Sequence, residues 1–187
     1  MAVEADRHGR SVSFMRGRLM QDGRLMATAA AVFADERDGF ELDQLDRPAV
    51  TAPGATDTLP DAPDWPPFAH QFDYLPAIGS ATLTGGDEAL TGGWLRLRDE
   101  RALDAAALVA FTDSWFPAVF VMRTQPLAVP TLELTVHLRG RLPRDRDWVL
   151  GRYHTRLARH GFMEEESEIF SREGELLAQG RQLAIAG

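Results

Sequence analysis

LDAAALVAFTDSWF (Leu103–Phe116), followed after a proline-rich turn by TLELTVHLR (Thr131–Arg139), decides the fold. At 100° per residue the apolar side chains of the first stretch cover every direction, which predicts a helix enclosed by other structure over 103–116. Asp104 suits its start, and Pro117 its exit. The second stretch alternates strictly: Leu132, Leu134, Val136 and Leu138 on one side, Thr131, Glu133, Thr135 and His137 on the other. An enclosed helix followed by long strands predicts an antiparallel sheet wrapped around one helix.

Outward from this centre, GWLRLRDE (Gly93–Glu100) reads as a strand leading into the helix. WVLGRYHTRLAR (Trp148–Arg159), FMEEESEIF (Phe162–Phe170) and ELLAQGRQLAIA (Glu175–Ala186) read as three more strands. Glu164, Glu165 and Glu166 are expected on a solvated strand edge, where charge discourages aggregation. Residues 9–34 form a predicted hairpin turning at Asp22-Gly23, and the first residues fit the end of a preceding strand. Between them, 46–79 holds most of the prolines with little periodicity and reads as an ordered linker. Its aromatics, Trp65, Phe68, Phe72 and Tyr74, predict packing against a folded body.

The chain ends resemble each other. MQDGRLMATAAAVF around Gly23 aligns with SREGELLAQGRQLA around Gly174, each a strand, an acidic-glycine turn and an alternating strand. Internal repetition at this scale suggests two copies of one domain, with two unrelated hairpins as the alternative.

Composition narrows the function. Apolar residues at 44% and charged residues at 26% suit a globular chain with a real core. A net charge of −8 opposes nucleic acid as a partner, since phosphate binding needs a cationic surface. The lack of cysteine excludes disulfides and thiolate chemistry and fits a reducing cytoplasm. No apolar run is long enough to span a membrane, and MAVEADRHGR has no signal-peptide core. The five histidines have no metal-ligand spacing, and neither a GxSxG elbow nor a phosphate-binding glycine motif occurs.

Three polar residues stand out. Asp113 faces Ala106, Val109, Ala110 and Phe116 on a helical projection. A carboxylate there is paired, protonated or useful, unless the helix stops near Thr112 and Asp113 merely caps a turn. Gln182 sits on the small, apolar face of the last strand beside Ala178, Gly180 and Ala184, with an amide to satisfy either by core backbone or by a site. Thr131 opens its strand after Pro130, where a hydroxyl bonds nearby backbone or a partner.

GWLRLRD, LDAAALVAFTDSWFPAVF, TLELTVHLR and GELLAQGRQLAI together resemble the acyl-CoA thioesterase II (TesB-like) family. The resemblance implies an α+β fold, a double hotdog in which each antiparallel sheet curls around a helix. It assigns 1–45 to the C-terminal part of a first repeat whose helix is missing, 46–79 to a linker and 80–187 to a complete second hotdog. The first repeat is then a fragment or is completed by a partner chain. In the family an aspartate, a threonine and a glutamine hold the hydrolytic water, and the matching positions are Asp113, Thr131 and Gln182. Trp115 and Phe116 are the implied substrate contacts. The implied activity is hydrolysis of acyl-CoA to a carboxylic acid and CoA in fatty acid metabolism, without cofactor or metal, by a cytoplasmic homo-oligomer. Enoyl-CoA hydration, the other hotdog chemistry, uses a histidine five residues after the aspartate, where this chain has Ala118. The competing reading is a non-catalytic hotdog that binds acyl-CoA or serves as an assembly partner.

Overall fold

The computed structural model describes residues 1–54, 58–63, 65–99, 101–142 and 148–187. Glu100, at the end of an expected strand, and residues 55–57 and 64 of the expected linker lie outside that set. The chain divides into two compact units, 1–45 and 46–187.

The first unit is a three-stranded antiparallel sheet of β1 (Ala2–His8), β2 (Val12–Gln21) and β3 (Arg24–Ala34), in that order. Gln21 pairs with Arg24 across a two-residue turn, and Asp22 and Gly23 both take positive φ, at 50° and 76°. That is the mirror-image turn whose twist matches a hairpin, and aspartate-glycine tolerates it best.

The second unit carries β4 (Phe72–Gly79), β5 (Leu90–Leu97), α1 (Ala105–Phe111), β6 (Thr131–Leu138), β7 (Val149–His154), β8 (Ala158–Arg159), β9 (Phe162–Phe170) and β10 (Leu176–Ile185). The strands form one seven-stranded antiparallel sheet, ordered β4-β5-β7-β9-β10-β6, with β8 beside β9. Its inner face packs on α1: Leu95, Val149, Tyr153, Ile169, Leu177 and Ala178 enclose Ala107, Leu108 and Phe111. Burying Leu108 and Phe111 contributes about 1.5–3 kcal/mol each. This is the hotdog arrangement. Among the described residues, no helix is long and apolar enough to cross a membrane.

Several expectations change in detail. The helix is shorter than 103–116. Asp104 caps its start, accepting the Ala107 amide at 2.7 Å, but the helix stops at Phe111, with Thr112 as its C-cap. Nor is it enclosed all round: Ala105, Ala106 and Val109 are exposed. Trp115 and Phe116 are apolar because they pack beyond the helix, not because they continue it. Residues 72–79, read as linker, form β4 at the sheet edge, where Pro76 costs no ladder hydrogen bond on the open side. The strand expected over 148–159 breaks after His154, and beyond the break only Ala158–Arg159 pairs again with β9.

The glutamate run is the largest correction. β9 lies between β7 and β10 rather than at an edge, and its inward face is Met163, Glu165, Ser167 and Ile169, all buried. Glu165 is therefore an interior carboxylate.

Candidate active site

The chain between α1 and β6 builds one side of the site. Thr112 ends the helix by donating its hydroxyl to the Val109 carbonyl at 2.7 Å, and the Asp113 amide closes onto the Ala110 carbonyl at 3.1 Å. These bonds tighten the last turn and swing Asp113 off the helix axis. Two tyrosines from the sheet then pin the turn. Tyr74 on β4 donates to the Ser114 carbonyl at 2.9 Å, and Tyr153 on β7 donates to the Phe111 carbonyl. Trp115 Nε1 donates to Thr91 Oγ1 at 3.1 Å, and its ring stacks on Tyr153 with centroids 5.9 Å apart. Aspartate 113 thus rides on a turn fixed from three directions.

The sheet supplies the other side. On β10, alternation points Ala178, Gly180, Gln182 and Ala184 inward. Gly180 is essential to the fit, because a Cβ there would come within 2.9 Å of Thr112 Cβ. Its absence lets the end of α1 settle on the strand next to Gln182. Leu134 on β6 pairs with Gln182, and a register shift between Leu183 and Ala184 brings Ala184 opposite Thr131.

Asp113, Thr131 and Gln182 converge. Gln182 Nε2 donates to Asp113 Oδ1 at 2.6 Å and to Thr131 Oγ1 at 2.5 Å. The Thr131 hydroxyl, its proton free to turn, donates to Asp113 Oδ2 at 3.5 Å, the long limit of such a bond. Each carboxylate oxygen therefore receives one donor and keeps lone pairs for a further one. Asp113 is exposed as a residue at the cavity mouth, yet crowding around its carboxylate pushes its pKa up. The hydrogen bonds from Gln182 and Thr131 pull it back down without cancelling the rise. A carboxylate whose pKa is raised in this way is a stronger base than a solvated one.

The trio opens into a cavity of about 730 Å³ whose wall is mostly apolar. Trp115 and Phe116 both line it, with Phe120, Leu127 and Leu134. Trp115 is 6% exposed and its ring meets Tyr74 edge-on at 5.5 Å. Glu165 lines the same cavity, and sequence reasoning passed over it. Burial raises its pKa to about 7, against the bond from the Ala118 amide, which favours the charged form, and with the Asp113 charge adding to the rise. The signal was available: period-two alternation in FMEEESEIF puts residue 165 on the face of Met163 and Ile169. Tyr74 and Tyr153 were also missed as supports, since nothing local reveals a tyrosine that reaches a helix end far along the chain.

A second hollow of about 600 Å³ lies over outward-facing residues of the sheet, including Arg152, Arg156 and Arg181. Its cations are already matched: Arg152 pairs with Glu168 at 2.5 Å and Arg156 with Glu166 at 3.2 Å. Among the described residues, no group of three or more histidine, aspartate or glutamate side chains could hold a metal ion.

No curated protein sequence matches the chain. A conserved hotdog-fold protein from Alicyclobacillus acidocaldarius superposes with a TM-score of 0.84 at 27% identity, over 99% of this chain and 72% of that one. Acyl-CoA thioesterase II TesB2 from Mycobacterium marinum superposes at 0.69 with 22% identity, covering 99% and 72%. The tesB protein of Mycobacterium avium subsp. paratuberculosis gives 0.70 at 18%, covering 99% and 70%. At these last two identities the likeness is one of fold. Sequence decides the family: the model of the acyl-CoA thioesterase C-terminal domain matches residues 48–186, and this chain belongs to that family.

Proposed function

We propose that the protein hydrolyses acyl-CoA thioesters to a carboxylic acid and CoA, using a water molecule held by Asp113, Thr131 and Gln182. The observation that carries this reading is the hydrogen-bonded trio, with Gln182 Nε2 2.6 Å from Asp113 Oδ1, at the mouth of an apolar cavity. Asp113 takes a proton from the water as its oxygen attacks the thioester carbonyl. The tetrahedral adduct collapses by breaking the C–S bond, and the proton leaves with the CoA sulfur. Gln182 and Thr131 keep the carboxylate ionised and aimed, while the cavity takes the acyl chain against Trp115 and Phe116. Thioesters are activated acyl donors, so a positioned base, contributing roughly 10² to 10⁴-fold, is enough without a covalent nucleophile.

The assembly expected is a homo-oligomer, because β3 exposes Val32 and Phe33 at 62% and 61%. Light scattering that finds only single chains would contradict it.

The experiment is release of free thiol from octanoyl-CoA. The chain has no cysteine, so every thiol detected comes from CoA. Saturable release supports the reading; tight binding of acyl-CoA with no release contradicts it.

A further inference from the structure

The 3-10 turn Ala118–Met122 begins at Pro117, whose side chain cannot cap it. The Ala118 amide, which a helical turn leaves without an internal partner, instead donates to Glu165 Oε2 at 2.6 Å. Glu165 reaches it from β9, where it pairs directly with Gln182 on β10, and Thr155 Oγ1 approaches the same oxygen at 3.5 Å. Both ends of the bond are dry: Glu165 is 7% exposed and Ala118 0%. A buried carboxylate costs several kcal/mol in lost hydration, far more than capping one amide recovers. Pinning the wall is its structural consequence, since Trp115, Phe116, Pro117 and Phe120 flank Ala118 in the chain and line the cavity that Glu165 also lines.

We propose that Glu165 is a positioning residue of the acyl pocket: its carboxyl group holds the Ala118 amide and thereby fixes the 115–120 wall against the sheet, setting the affinity for the acyl chain. The inference rests on the acyl-CoA reading above. It requires an acceptor at the right reach rather than a negative charge, because a protonated carboxyl or a carboxamide also offers a carbonyl oxygen to the amide.

The test uses the full chain with Glu165→Gln, Glu165→Asp and Glu165→Leu. Three quantities are read: hydrogen exchange of the Ala118 amide by NMR, KM and kcat for octanoyl-CoA, and Kd for the non-hydrolysable S-octyl thioether of CoA. Glu165→Gln is expected to keep Ala118 protection and to leave Kd within about twofold of wild type. Glu165→Asp, one methylene short, and Glu165→Leu are expected to speed Ala118 exchange at least about tenfold and to raise KM and Kd about fivefold. In both, kcat changes less than about threefold. Should Glu165→Leu fail to fold, Glu165→Asp supplies the loss of contact. Wild-type Ala118 protection or wild-type Kd in the Asp or Leu variants overturns the proposal, as does a Gln variant as impaired as they are. A wild-type protein that binds the thioether but releases no CoA ends the hydrolase reading alone, while exchange and Kd still decide the role of Glu165.

Discussion

Gln182 Nε2 stands 2.6 Å from Asp113 Oδ1 across 69 residues of chain, and the same nitrogen is 2.5 Å from Thr131 Oγ1. One amide from the last strand thus organises a carboxylate from a helix end and a hydroxyl from a strand start. Its 7% exposure makes that role structural as well as chemical, because a buried amide left unpaired costs about 1–3 kcal/mol.

The first prediction concerns pH. Both hydrogen bonds to Asp113 favour its charged form, so Gln182→Ala removes one opponent of the upward push from burial. The Asp113 pKa then rises further, and because only the ionised form acts as base, the acid limb of the kcat/KM profile moves to higher pH. Thr131→Val shifts it in the same direction by less, since the 3.5 Å bond is the weaker. A pH-rate profile of each variant checks this. An acid limb unmoved, or moved downward, in Gln182→Ala would exclude the arrangement.

Stability carries a second signature. Folded Glu165 titrates near 7, against 4.5 for an ordinary glutamate. Between those values the folded chain retains a proton that the unfolded chain has released, so stability falls as pH rises through this window and levels off above it. The loss from this group approaches about 3 kcal/mol. In Glu165→Gln the titrating group is gone, and urea unfolding from pH 4.5 to 8 should show a flatter profile than wild type. Parallel profiles would contradict the interior placement of this carboxyl.

Close packing at Gly180 gives a third. A Cβ there would collide with Ser167 Oγ and press on Thr112, the residue that ends α1 beside Asp113. Gly180→Val is expected to cost about 1–3 kcal/mol of stability and to lower kcat by displacing the Asp113 turn. Chemical denaturation and steady-state kinetics read both effects. Full stability and activity in this variant would mean that the helix end does not rest on β10.

Much of this site was legible in the chain. Alternation placed Gln182 inward on β10, and the position of Thr131 after Pro130 marked a strand start, as observed. The end of α1 was legible only as one of two readings: the apolar run continues to Phe116, yet the stop near Thr112 is the one the structure takes, and the bonds from Tyr74 and Tyr153 hold the turn that follows. β4 was hidden by Pro76, which breaks the strand pattern and is tolerated only because that strand is an edge. Glu165 was obscured by its neighbours: three glutamates in a row look solvated, although alternation puts the middle one on the face of Met163 and Ile169, which the place of β9 between two strands buries.

The most direct measurement is the rate of CoA release from octanoyl-CoA by Asp113→Asn beside the wild type, with thermal unfolding of both. Asparagine preserves the shape of the trio but cannot take a proton. The predicted result is a fall in kcat/KM of about 10² or more with an unchanged melting temperature. Turnover equal to wild type in a folded Asp113→Asn protein would contradict the account.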